Sequence, residues 1–327
     1  MQSNNQYIEI DFSKLWKLVR LKRQTKEALK TALFSLLPFL FSRFASYQHW
    51  KNARVFAYKE KYNTINIKTA RQQPGNKELK LAVVIHVFYI DVFKEILSLL
   101  LKNKTVSFKI FITCPENLHD SIDGLLNQTG ISYSILSVKN RGRDVLPFLK
   151  ILPVVFDENY NLILKLHTKR SNHLNKKDLW STDLFSKLIG EGEVKKIYEL
   201  FIENNEVGMA GPEGHILPMS LYYGGNPERV RILCEKMGLQ KQQLKRLLFV
   251  AGSMFYARKE VLLPVLNLGL KDEDFEEENS QLDKTMAHAV ERVFGAGVVF
   301  SGFELADTNS SFLNFSCKIT LNHPFTI

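Results

Sequence analysis

The chain has 327 residues, 45% of them hydrophobic, enough for one large α/β domain or two ordinary ones and too apolar for a disordered chain. Its net charge of +10 is concentrated, with 15 Lys and Arg against 5 Asp and Glu in residues 1–78 and 29 against 29 beyond. A neutral body argues against nucleic acid as the partner, and three scattered cysteines (Cys114, Cys234, Cys317) argue against a disulfide framework and a cysteine-based metal site.

The first residues, MQSNNQYIEIDF, lack the basic start and apolar run of a secretory signal, so a cytoplasmic setting is expected. Residues 14–30 read as a helix carrying Leu15, Leu18 and Leu29 among Lys17, Arg20, Lys22, Arg23 and Lys26. The stretch 28–44 is far more apolar, but Lys30 and Pro38 interrupt it, and it is shorter than the roughly 20 residues a spanning helix needs. It suits an interfacial helix at an anionic membrane surface. A helix packed on the main domain, or on a second subunit of a homo-oligomer, suits it equally. The polar run 63–80 with Pro74-Gly75 reads as a linker, so a leader of 1–78 precedes a body of 79–327.

The body opens on Leu81–Phe88, a buried strand by its apolar, β-branched content. A helix over 92–101, a strand over 108–113, a helix over 118–128 and a strand over 131–138 follow. A helix over 145–156, interrupted near Pro153, and a strand over 161–166 continue the alternation. Strands alternating with helices at this spacing predict an α/β fold with a mostly parallel central sheet. Beyond Lys169 the pattern predicts helices over 181–188, 194–204 and 227–237, strands over 207–211 and 248–256, and a helix over 278–294.

Four segments hold residues suited to chemistry. In Asn140-Arg141-Gly142-Arg143-Asp144, a turn glycine between two arginines precedes a helix start, where ligands of parallel sheets bind and phosphate is clamped. The alternative there is Asp144 as a plain helix cap. In Lys165–Ser171, strand alternation places Lys165, His167 and Lys169 on one face, a cluster suited to a diphosphate. Gly252 and Ser253, which begin a run ending in Tyr256, allow close approach of a substrate, though core packing explains them as well. In 274–292, Asp283 stands where a helix is expected to open, as a general base would, with Glu278 five residues earlier and His288 five later. A solvated acidic helix face explains the same run. The Asp272-Glu273-Asp274 run lies in an expected loop and is discounted as a metal site.

In this order these segments resemble the rhamnan synthesis protein F family of polysaccharide glycosyltransferases. The resemblance rests on His86–Tyr89, Asn140–Phe148, Lys165–Ser171, Gly252–Arg258 and 275–292, and spans about 81–305. Two positions depart from it: Tyr256 stands where tryptophan is usual, and Lys284 where glycine usually follows the helix-opening Asp. The resemblance implies a GT-A-like nucleotide-sugar domain and inverting transfer of L-rhamnose, with dTDP-L-rhamnose as donor, onto a surface polysaccharide or lipid-linked glycan. It implies donor binding by His86, Tyr89, Asn140, Gly142, Arg143, Asp144, Lys165, His167 and Lys169. The base would be Asp283, and the acceptor side Gly252, Ser253, Tyr256, Glu278 and His288. With no D-x-D after the fourth strand, no metal cofactor is expected, and the chain would work peripherally on the inner membrane face. The competing expectation is a catalytically inactive glycan-binding or scaffold subunit of an assembly complex.

Overall fold

The computed structural model describes residues 78–168, 177–244, 247–279, 281 and 283–310, together with 33, 36, 37 and 40. The chain divides into two compact units, residues 1–67 and 68–327. The expectations for residues 14–30 and the linker fall outside the described residues, as does nearly all of 28–44.

The first half of the second unit alternates as the sequence predicts. It runs β1 (Leu81–His86), α1 (Ile90–Leu100), β2 (Phe108–Cys114), α2 (His119–Leu126), β3 (Tyr133–Ser137), α3 (Val145–Asp157) and β4 (Leu162–His167). All six residues of β1 and all six of β4 are buried, since helices cover both faces of the sheet. Helix α1 buries Phe93, Ile96, Leu97 and Leu100, the spacing of one helical stripe. Helix α3 continues through Pro153 instead of breaking near it. Proline costs this helix one hydrogen bond, and burial of Leu149, Leu152, Val155 and Phe156 around it holds the turn in place.

Next come α4 (Lys177–Ile189), α5 (Glu193–Glu203), β5 (Val207–Gly211), β6 (Ile216–Pro218), α6 (Pro227–Lys236) and α7 (Lys241–Leu244). The described chain closes with β7 (Leu248–Val250), β8 (Phe255–Arg258), α8 (Lys259–Leu266), α9 (Met286–Phe300) and β9 (Glu304–Asp307). The seven-stranded sheet has the order β3-β2-β1-β4-β8-β5-β9, and β6 pairs with β7 in a separate ribbon. Strands β1 to β4 pair in parallel, as do β5 and β9, and β8 alone runs against its neighbours. The sheet is therefore mixed but mostly parallel. One face packs on α3 and α9, the other on α1, α4 and α5.

Strands β6 and β9 and helices α7 and α8 lie outside the sequence expectation, and two further expected elements take a different form. The single strand expected over 248–256 is two strands in different sheets, because Gly252 (φ 88°) and Ser253 (φ 55°) both take left-handed backbone and turn the chain out of β7 into β8. The helix expected over 278–294 begins only at Met286 and runs to Phe300. The acidic run before it is a loop because its carboxylates are spent on other elements: Asp272 on Lys150, Glu276 on Arg229 and Glu278 on Arg143.

Candidate active site

The order β2-β1-β4 creates a switch point. From β1 the chain winds out through β2 to β3, then returns to place β4 on the other side of β1. Ligands of such sheets bind in the crevice beyond the carboxyl ends at that point. Here the register puts His86 of β1 directly beside His167 of β4 on one side and Thr113 of β2 on the other. Even spacing along the strands turns all three, with Lys165, toward the α3 and α9 face.

Each side chain of this row has a defined partner. His86 Nδ1 lies 3.0 Å from Thr113 Oγ1. His167 Nε2 lies 2.8 Å from the Gly252 carbonyl, so that nitrogen carries a proton. Thr168 is buried, and its hydroxyl accepts from the backbone N–H of Phe88 (2.7 Å) and Tyr89 (2.9 Å), stapling the β1–α1 loop to the end of β4. Tyr89 is the N-cap of α1, and its ring meets Phe88 edge-on at 5.1 Å. Phe88 is 40% exposed at the rim.

Lys165 is the centre of the arrangement, only 1% exposed. Its ammonium donates to Asp144 Oδ2 at 2.6 Å, to the Ser253 carbonyl at 2.8 Å and to Ser253 Oγ at 2.9 Å. These three contacts are to groups of the protein itself, Asp144 among them. Asp144 occupies the N-cap of α3 but does not cap it, because its carboxylate is turned to Lys165 and lies 3.9 Å from His167. The sharp turn before it needs Gly142, with φ 67°, where a Cβ would fall 2.4 Å from the Leu146 Cβ and 2.8 Å from the buried Phe275 ring.

Arginines of that turn bind the acidic loop. Arg141 Nε donates to the Phe275 carbonyl at 2.8 Å, and the Arg143 N–H donates to Glu278 Oε1 at 3.0 Å. The Arg143 guanidinium also reaches the Gln281 carbonyl and lies 3.8 Å from Glu278 Oε2. Asn140 is exposed at the start of the turn, and Lys169 lies outside the described residues.

Asp283 sits two residues before Thr285, the N-cap of α9, and so precedes the helix instead of opening it. Its Oδ2 accepts from the Gly225 N–H at 2.6 Å and its Oδ1 from Asn226 Nδ2 at 2.8 Å. Burial raises its carboxyl, but the backbone N–H groups of Gly225 and Lys284, with Arg292 and His288 nearby, more than offset this and hold it below its usual range. His288 is bonded through Nδ1 to Thr285 Oγ1 at 2.7 Å. Lys284 has φ 70°, the left-handed backbone that favours glycine.

Tyr256 lies away from the other candidate residues. It pairs with Leu164, faces the α4 side of the sheet and donates its buried hydroxyl to the Leu188 carbonyl at 2.9 Å. That face is opposite His86 and His167. Conversely, sequence reasoning left Thr113, Thr168 and Glu291 out of the site. Glu291, from the middle of α9, accepts the Gly252 N–H at 2.9 Å, so it touches the same residue whose carbonyl holds His167. Among the described residues no group of three or more His, Cys, Asp or Glu is placed to hold a metal ion.

The row is also sensitive to acid. Burial lowers the His86 pKa from 6.5 to about 4, the Asp144 charge opposing that only in part. Between these values the unfolded chain binds a proton that the folded chain refuses. Stability is therefore full above about pH 6.5 and is lost as pH falls toward 4, by up to about 3 kcal/mol. Urea midpoints measured across this range should fall less steeply in His86→Gln than in the wild type. Parallel curves would mean that His86 protonates equally in both states.

The fold defines an α/β protein with a switch point at the carboxyl edge of a mostly parallel sheet, where the candidate residues His86, Asp144, Lys165 and His167 meet. The rhamnan synthesis protein F family matches residues 47–300, which starts inside the basic leader and covers most of the chain. The chain belongs to that family. It is 37% identical over 220 residues to the uncharacterized protein WxcX of two Xanthomonas campestris pv. campestris strains, a match covering 67% of this chain and 31% of each relative. The match thus spans about a third of the length of these curated relatives. Among solved structures, a mannosyltransferase of Pyrobaculum calidifontis, in complex with GDP-Man and Mn²⁺, overlaps 80% of this chain and 63% of its own at 10% identity and a TM-score of 0.42. A 4-diphosphocytidyl-2C-methyl-D-erythritol synthase of Anaerococcus prevotii overlaps 68% and 95% at 12% identity and a TM-score of 0.34.

Proposed function

We propose that this chain is an inverting glycosyltransferase that moves L-rhamnose from a nucleoside-diphosphate donor, dTDP-L-rhamnose, onto a bacterial surface polysaccharide or lipid-linked glycan. Family membership supports the class. The observation that carries the site is the His86–His167 pair at the switch point, walled by the Asp144–Lys165 contact. In this reading the nucleoside enters along His86–Tyr89, and Arg143 and Lys169 stabilise the diphosphate, as leaving-group charge requires. The acceptor lies along the turn at 224–226. Its hydroxyl oxygen attacks the anomeric carbon and its proton passes to Asp283, while the carbon–oxygen bond to the diphosphate breaks and the diphosphate departs with that electron pair.

One observation favours a second reading, an inactive scaffold subunit: Lys165 is neutralised internally and burial keeps His86 uncharged at neutral pH. Incubating the purified full chain with dTDP-L-rhamnose and a glycan acceptor separates the two. We expect transfer that survives EDTA. Activity lost with EDTA and restored by Mn²⁺ or Mg²⁺ would overturn metal independence, and neither transfer nor donor hydrolysis under any condition would favour the scaffold.

Among the described residues no helix is long and apolar enough to cross a membrane. The surplus of basic residues in 1–78 supports peripheral binding to the cytoplasmic membrane face, each basic residue contributing on the order of 1 kcal/mol. The full chain should float with anionic liposomes, and equal flotation without residues 1–78 would remove the leader from that role.

A further inference from the structure

Glu291 is far along α9 from the acidic loop, yet its carboxylate reaches the turn between β7 and β8. Its Oε1 accepts the Gly252 N–H at 2.9 Å, and the carbonyl of the same residue accepts from His167 Nε2 at 2.8 Å. The two bonds engage opposite ends of one glycine whose φ of 88° few other residues would adopt. This glycine is also hemmed in, since a Cβ on it would lie 3.2 Å from the Trp180 ring and 3.3 Å from the Leu184 side chain. Arg292 lies 3.6 Å from Glu291 Oε2, and its own guanidinium is held by the carbonyls of Tyr222 and His288, so the carboxylate is fixed from behind. A carbonyl can only accept, so its direction decides which imidazole nitrogen carries the proton.

We propose that Glu291 is a positioning residue that acts through Gly252, holding its N–H while its carbonyl meets the imidazole, to fix the proton of His167 on Nε2 and the orientation of its ring at the switch-point crevice. Glu291 sets the pitch of the Gly252 residue, Gly252 sets the imidazole, and the imidazole presents one defined edge to whatever enters between β1 and β4. That this edge meets a nucleotide sugar rests on the proposed function. The tautomer device itself does not.

The test is ¹⁵N NMR of the full chain with labelled histidine, the His167 signals assigned by their loss in His167→Gln. The wild type should show a directly protonated Nε2. Glu291→Ala should lose that single signature in favour of exchange between the two nitrogens. Glu291→Gln, whose amide oxygen can still accept the Gly252 N–H, should retain it. A structural role alone would lower the melting temperature of Glu291→Ala without moving the His167 tautomer, and an unchanged His167 signature in that variant overturns the proposal. If Glu291→Ala does not fold, Glu291→Asp, one methylene shorter, gives the same reading. A wild type with the expected tautomer but no transferase activity would defeat the proposed function and leave this inference standing.

Discussion

Asp144→Ala is expected to cost about 3–5 kcal/mol of folding stability, the effect of leaving a buried charge without its partner. Lys165 is buried inside a strand with both neighbours in the sheet, and the Asp144 carboxylate supplies negative charge at hydrogen-bond distance. The Ser253 carbonyl and hydroxyl satisfy donors but carry no net charge. Removing Asp144 thus leaves the ammonium desolvated, with the Phe148 ring 5.3 Å away as a weak substitute. Adding Lys165→Met should recover most of the loss, because an apolar chain of similar length fits beside Phe148 and Phe255. Urea unfolding of both single variants and the double variant measures the coupling directly. A loss below about 1 kcal/mol for Asp144→Ala would mean that water reaches Lys165.

Asp283→Asn is expected to lower turnover by roughly 10²–10⁴ if this carboxylate receives the acceptor proton. The structure adds a second consequence. Both oxygens of Asp283 accept from nitrogen donors, so the new amide must set an N–H against either the Gly225 N–H or the Asn226 amide. That mismatch costs about 1–3 kcal/mol. Turnover, donor affinity and melting temperature therefore have to be read together. Asn226→Ala removes one of the ties while keeping the carboxylate. It should lose stability and keep most of its turnover. If Asn226→Ala is as inactive as Asp283→Asn, Asp283 acts by holding the 224–226 turn. If Asp283→Asn stays within a few-fold of wild type while Glu278→Gln is dead, the base is Glu278.

Much of the first half of the body was legible. Strands β1, β2 and β4 read as mainly apolar runs, broken only where Lys109, Thr113, Lys165 and the strand-end His86 and His167 stand, which is close to what burial on both faces selects. The amphipathic spacing of Phe93, Ile96, Leu97 and Leu100 marked α1 in the same way. The second half was less legible because its elements are short and their signals mix. Strands β6 and β7 have three residues each, too few for a period to show, and Leu248–Tyr256 reads as one apolar run until the left-handed Gly252 and Ser253 divide it.

The sequence by itself determined the alternating order of β1 to β4, hence a parallel sheet, and the placement of Asp144, Lys165 and His167 at its carboxyl edge. Local pattern suffices there, since strand period and turn residues are properties of neighbours along the chain. Only the tertiary structure decided what those residues do to one another. It joined Lys165 to Asp144 across 21 positions and to Ser253 across 88, turning an expected cationic cluster into an internally neutralised one. It turned Tyr256 to the opposite face of the sheet and brought Glu291 to Gly252. Partners so distant in sequence are chosen by burial: a charge withdrawn from water takes the nearest acceptor that the packed fold provides.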